Sequence, residues 1–328
     1  MATVLSGASF GAAMIAAGFY NPAVVISQLK FENWHMVQAF LAATASSIAY
    51  YAISDRAGYA SLQPRASSPI GLFGSTYDGN VLGGALLGAG MALSGSCPGT
   101  LFAQMAAGVH TGFYALAGAV VGGVLWTGIL SKAVARARAR AGSKPETVTV
   151  NQHLGVSKPA AMLLYEAGFA AVIIVTSLYT PRFPGTKMSG ALGGFLISLS
   201  QLASIATRGS MIGISGSYGE LGGLLWAGLA GDAASKPKSY PNVLFAVSAG
   251  AGALLLARLA PVLVEAPALE VAPAVAVLGG ALMVVGARMA GGCTSGHGIS
   301  GISLLSTSSL ITIATTFAVG FVVATLVY

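Results

Sequence analysis

Gly83-Gly84-Ala85-Leu86-Leu87-Gly88-Ala89-Gly90-Met91-Ala92-Leu93-Ser94-Gly95-Ser96-Cys97 is echoed 196 positions later by Gly279-Gly280-Ala281-Leu282-Met283-Val284-Val285-Gly286-Ala287-Arg288-Met289-Ala290-Gly291-Gly292-Cys293. Seven of the fifteen paired positions are identical, four of them glycine, and the cysteines that close the two stretches are the only two in the chain. A repeat of this kind predicts two related halves, each bringing one thiol to a corresponding place. The function is then expected where the halves meet. A shorter match, Ser6-Gly7-Ala8 with Gly11 against Ser189-Gly190-Ala191 with Gly194, keeps the same order and puts the boundary in the basic stretch 132–158. The expected organisation is one domain over 1–328, with a first repeat of about 1–150 and a second of about 151–328.

With 55% hydrophobic residues, 8% charged residues and a mean hydropathy of +0.78, the composition excludes a soluble globular domain, where roughly a quarter of residues are charged. It predicts an all-α integral membrane protein. A hydrocarbon core about 30 Å thick takes about 20 apolar residues per helix, so the chain accommodates about eight to ten spans and no large soluble domain. A membrane barrel would show short alternating segments, whereas these runs are continuous and rich in Ala, Leu, Gly and Val. The stretch Met1 to Tyr20 has no Lys or Arg ahead of its apolar run and reads as the first membrane segment rather than a signal peptide. The net charge of +7 does not indicate nucleic acid, because the basic residues gather between apolar runs, chiefly Lys132, Arg136, Arg138, Arg140, Lys144 and Lys158. That positive-inside pattern places the 132–158 loop in the cytoplasm and the protein in a plasma or inner membrane.

Apolar runs suited to helices fall at 5–20, 34–53, 81–96, 98–108, 112–131, 160–179, 189–206, 219–231, 241–259, 271–290 and 309–327. Ser96-Cys97-Pro98-Gly99 separates two of them, and Pro and Gly there argue against one continuous span. The second copy breaks at Gly291-Gly292-Cys293-Thr294-Ser295-Gly296, followed by His297-Gly298. Irregular backbone is tolerable at membrane depth only when buried in protein or lining a cavity. Both places therefore read as broken, half-penetrating helices that meet near the membrane midplane, and paired interruptions of this kind point to a transport site at the repeat interface.

A membrane cysteine taken alone is more often a small buried hydrophobe than a functional group. Here both stand at helix breaks after Gly-x, so Cys97 and Cys293 are expected to face a shared cavity, with a disulfide between them as the alternative. Gly95, Gly99, Gly291, Gly292, Gly296 and Gly298 differ from the many packing glycines in clustering at the breaks, where they free backbone N–H groups and admit a ligand close to the main chain, while Pro98 removes a backbone donor at the first break. Arg288 falls inside an apolar run and needs either a partner or an aqueous cavity. Glu166, Arg208, Glu220 and Arg258 lie nearer the ends of their runs, where snorkelling is easy. Thr294, Ser295 and His297 are placed to share an anion, although His297 serves equally well as a cap or backbone contact. No metal site is expected, since Cys293 and His297 make only two ligands and Leu101 stands where His297 would pair. Asn21-Pro22-Ala23 spells the aquaporin triplet, but without a second copy a simple helix start accounts for it. Neither a phosphate-binding loop nor a nucleophile elbow occurs, so neither a nucleotide cofactor nor hydrolase chemistry is expected.

The two cysteine segments, 90–100 and 286–298, resemble the signatures of the YeeE/YedE sulfur-transport family, the second more specifically. The resemblance extends in general character over most of the chain. It implies a multi-helix membrane protein, not an enzyme, with pseudo-symmetric halves that takes up thiosulfate or a related small sulfur anion into the cytoplasm along a cysteine-lined central path, with a soluble sulfur-carrier protein as a possible cytoplasmic partner. Cys97 and Cys293 match the family's motif cysteines. Many relatives have a further cysteine in the first hydrophobic region, whereas Gly11 to Gln28 contains none here, which leaves a three-thiol relay open to question. The other readings are a channel for sulfide, formate or water, and a redox or sulfurtransferase component carrying sulfur on a cysteine. The more elaborate second motif leads to the expectation that Cys293→Ala is more damaging than Cys97→Ala.

Overall fold

The computed structural model describes every residue from Met1 to Tyr328 except Ala268. The described chain is all-helical: α1 (Ala2–Ala16), α2 (Pro22–Leu29), α3 (His35–Arg56), α4 (Asp78–Ser94), α5 (Thr100–Ala106), α6 (His110–Leu125), α7 (Ser131–Ala141), α8 (Val150–Leu154), α9 (Lys158–Tyr179), α10 (Gly190–Arg208), α11 (Gly216–Ala230), α12 (Pro241–Leu259), α13 (Pro273–Ala290) and α14 (Thr307–Val327). Among the described residues seven helices are long and apolar enough to cross a membrane. The protein is an integral membrane protein. At about 1.5 Å per residue, α2 and α5 rise only about 12 Å and 10 Å, well short of a bilayer core.

Local chemistry explains the boundaries. Asn21 caps α2 by accepting from the Ala23 amide at 3.0 Å, with Pro22 in the first turn, so the Asn-Pro-Ala triplet is a helix start. Ser189 caps α10 in the same way. The basic stretch departs from the expected loop. A π-helical turn at Trp126–Leu130 joins α6 to α7, making one 32-residue apolar-to-basic helix from His110 to Ala141. Its alternating Ala and Arg are strong helix formers, and Gly142 ends it in the left-handed region.

The most extensive helix contacts join early helices to late ones. Helix α1 packs on α12 and α10 packs on α3, while α4 packs on α14 and α13 on α6. Glycines set these approaches, because a Cβ on Gly11 would overlap the Ala249 carbonyl and one on Gly194 that of Ala39. Likewise a Cβ on Gly84 would press on the Thr312 carbonyl and one on Gly280 on that of Ala115. The helices of the opening repeat, α4 and α13, run antiparallel against each other: Gly83 lies on Gly286 and Ala290, and Gly90 on Gly279 and Met283. Their N-terminal ends lie at opposite ends of the long α6–α7 helix. Gly71 before α4 abuts Ala137 and Ala141, while Glu270 before α13 accepts from the His110 amide at 3.2 Å. Helix α9 packs on α3 and is largely exposed on its remaining faces.

Candidate functional site: a neck between two helix breaks

The first break begins where Gly95 takes a left-handed conformation (φ 57°) and ends α4. Gln104 of α5 folds back to hold it, donating to the Gly95 carbonyl at 2.9 Å and accepting from the Ser96 hydroxyl at 2.6 Å. Thr100 accepts from the Cys97 amide at 2.7 Å. The Pro98 carbonyl accepts from the Tyr218 hydroxyl of α11 at 2.8 Å, so a late helix pins the early break.

The converse holds at the second break. Gly291 (φ 86°) ends α13, and the chain rewinds as a π-helical segment, Ser295–Gly301. Arg65, from the stretch between α3 and α4, donates from Nε to the Gly296 carbonyl at 2.7 Å and from Nη1 to that of Gly291 at 3.0 Å. Ser68 donates to the Met289 carbonyl at 2.6 Å and Asn80 to that of Ala290 at 3.3 Å. Gly292 sits between the His297 ring and the Arg65 guanidinium, where a Cβ would come within 3.0 Å of the imidazole. His297 is buried, with Nε2 at 3.2 Å from the Ala290 carbonyl and Nδ1 at 2.9 Å from Ser309 Oγ. Since a carbonyl only accepts, Nε2 carries the proton and Nδ1 accepts from Ser309. The ring braces the break through these two contacts.

Cys97 and Cys293 are both buried and both free. The disulfide alternative is therefore not realised. Cys97 faces a small internal space of about 10 Å³, together with Gly99, Thr294, Ser295, Phe10 and Met14. That is room for about one water molecule, so the space is a neck rather than a chamber. Cys293 stands just behind it, its Sγ 3.3 Å from Ser295 Oγ. Thr294 Oγ1 is buried at the same neck beside the Cys97 thiol, without an oxygen or nitrogen partner. The first hydrophobic segment contributes no thiol there, but does contribute the Met14 thioether and the rings of Phe10 and Phe19.

Of the residues named from sequence, Gly95, Cys97, Pro98, Gly99, Gly292, Cys293, Thr294, Ser295 and His297 come together around the two breaks. Arg288 does not. It points into a separate cavity, although its guanidinium is close enough to Cys293 to interact electrostatically. Arg65, Gln104 and Tyr218 were missed. Arg65 and Cys293 are close enough to interact electrostatically, but the guanidinium donates to two backbone carbonyls. A fixed charge placed in this way favours an anion nearby without closing its fork around it.

Apolar helices of membrane length, with a small internal space between two interrupted segments, define a multi-helix membrane protein in outline. Residues 16–323 match the family model described as sulphur transport, and the chain belongs to that family. The YeeE/YedE resemblance agrees with this membership. No curated protein matches the chain.

Proposed function

We propose that the protein imports thiosulfate, or a closely related small sulfur anion, through the neck between the two breaks, with Cys97 and Cys293 as successive weak contacts. The observation that carries this reading is the pairing at the neck: a free thiol from the first break beside an unpartnered hydroxyl, Thr294, from the second. A thiol is a soft, weak donor, and transit needs contacts favourable enough to admit an ion and weak enough to release it. The crosswise packing supports two halves related by a pseudo-twofold axis. Gly83 meets Gly286, its counterpart's Gly90 equivalent, and Gly90 meets Gly279. Reciprocal contact of this sort is what a twofold axis between antiparallel helices produces. An axis so placed lies in the membrane plane and gives inverted repeats, with α2, α5 and the segment after Cys293 entering without crossing. On this reading the basic α7 is cytoplasmic.

Uptake of sulfur-labelled thiosulfate by purified protein in liposomes, with sulfate as competitor, tests the proposal. On this reading the ranking expected from sequence is reversed, because Cys97 faces the neck directly and Cys293 stands behind Ser295. Each alanine variant is expected to lose about tenfold or more of uptake, equivalent to about 1.4 kcal/mol at the limiting step, with Cys97→Ala at least as severe. Wild-type uptake by both variants would remove the thiols from the path. Sulfate carried as well as thiosulfate would remove the soft-sulfur selectivity.

A further inference from the structure

Beyond Cys293, towards the end of the molecule that carries α7, a cavity of about 370 Å³ opens among Trp126, Thr127, Gly219, Glu220, Asn242 and Arg288. Arg288 projects from the last turn of α13 against Gly219, where a Cβ would come within 3.2 Å of the guanidinium carbon. Among the described residues its guanidinium makes no hydrogen bond and no ion pair, and its Nε is buried without a partner. The carboxylate in the same cavity does not neutralise it by direct pairing. Glu220 accepts from the backbone amides of Asn242 at 3.1 Å and Val243 at 2.9 Å, and from the Asn242 side chain, holding the start of α12. Lys132 nearby is paired with Asp232 at 2.8 Å.

Thr127, Ser131, Glu220 and Asn242 share the cavity wall with Trp126 and Pro237, yet none bonds the guanidinium, whose buried Nε stays unmet; its planar fork fits two oxygens of an oxyanion. We propose that this cavity is a second anion site, in which Arg288 binds a small sulfur oxyanion after it has passed Cys293. The inference rests on the import reading for the identity of that anion, but not for the presence of a site. Glu220 in the same wall weakens the hold, as release to the aqueous side requires. The neck and the cavity then divide the work: the uncharged neck selects, and the roomier cationic cavity collects.

Tryptophan fluorescence reads the site apart from transport. The chain has three tryptophans, and a Trp34→Phe, Trp226→Phe background leaves Trp126 on the cavity wall as the reporter. Iodide, a soft anion and a contact quencher, is expected to quench it saturably, with thiosulfate competing. Arg288→Met keeps the stem and removes the charge; its apparent Kd should rise by about tenfold or more, with thermal stability unchanged or higher. Arg288→Lys keeps the charge without the fork and should fall between the two, which preserves the test should the methionine variant fail to fold. Non-saturable quenching in the parent protein, or equal binding by all the variants that fold, overturns the site. Arg288-dependent iodide binding by a protein that carries no thiosulfate would retain the site and discard the import reading. Thiosulfate transport with Arg288-independent quenching would do the reverse.

Discussion

Thr294 carries a hydroxyl without an oxygen or nitrogen partner, buried beside the Cys97 thiol at the small space between the breaks. Leaving a buried polar group unpaired costs about 1–3 kcal/mol, so the group is a liability to the fold unless something passing through uses it. Thr294→Val is therefore expected to leave the melting temperature unchanged or raise it by the equivalent of about 1 kcal/mol, while lowering thiosulfate uptake. Thermal unfolding and liposome uptake of the same preparation check this, and full uptake by the valine variant would return the hydroxyl to a packing role. His297 makes the contrast, since both ring nitrogens have partners and its burial serves the backbone. The sequence was most readable at this scale where chemistry repeats: the two cysteines, their glycines and Pro98 all lie at the site. It could not distinguish Thr294 from His297, because both are polar residues in one motif and only the folded chain shows which of them finds partners.

Arg65 ties the stretch between α3 and α4 to the end of α13 and the segment that follows. Ser295-Gly296-His297-Gly298-Ile299-Ser300-Gly301 has three glycines and poor helix propensity, yet it is wound as a π-helical element. Its winding comes from tertiary bonds, those of Arg65 and of His297 to Ser309. Hydrogen bonds to charged groups are worth about 1.5–3 kcal/mol each, so Arg65→Gln should cost about 2 kcal/mol or more and raise amide exchange at 291–301 more than elsewhere. Uniform loss of protection along the chain would count against a local clamp. This also explains why sequence reading located the break but not its rewinding, and why Arg65 went unnoticed in a stretch with no periodicity. The opposite error occurred at α7, where clustered charge suggested a loop although Ala and Arg favour a helix.

Across the whole molecule, the antiparallel α4 and α13 predict a sidedness. Single cysteines placed at Ser75 and Lys144, both exposed, should react with a membrane-impermeant maleimide from one face, and one placed at Glu270 from the other. Labelling of Ser75→Cys and Glu270→Cys from the same face would exclude inverted halves. The proposal of two halves starts from the glycine-cysteine repeat, but the exchange of partners was not legible there, since periodicity identifies an apolar face without naming what covers it. That exchange has a consequence for how the protein is made. A nascent chain that has delivered α1, α4 and α6 to the bilayer has not yet synthesised α12, α14 or α13, against which those helices pack. Their glycine grooves must rest against lipid until the ribosome has nearly finished, so insertion and closure are separate events. A chain cut short in its second half yields unpartnered spans for quality control to clear, and not a smaller working transporter.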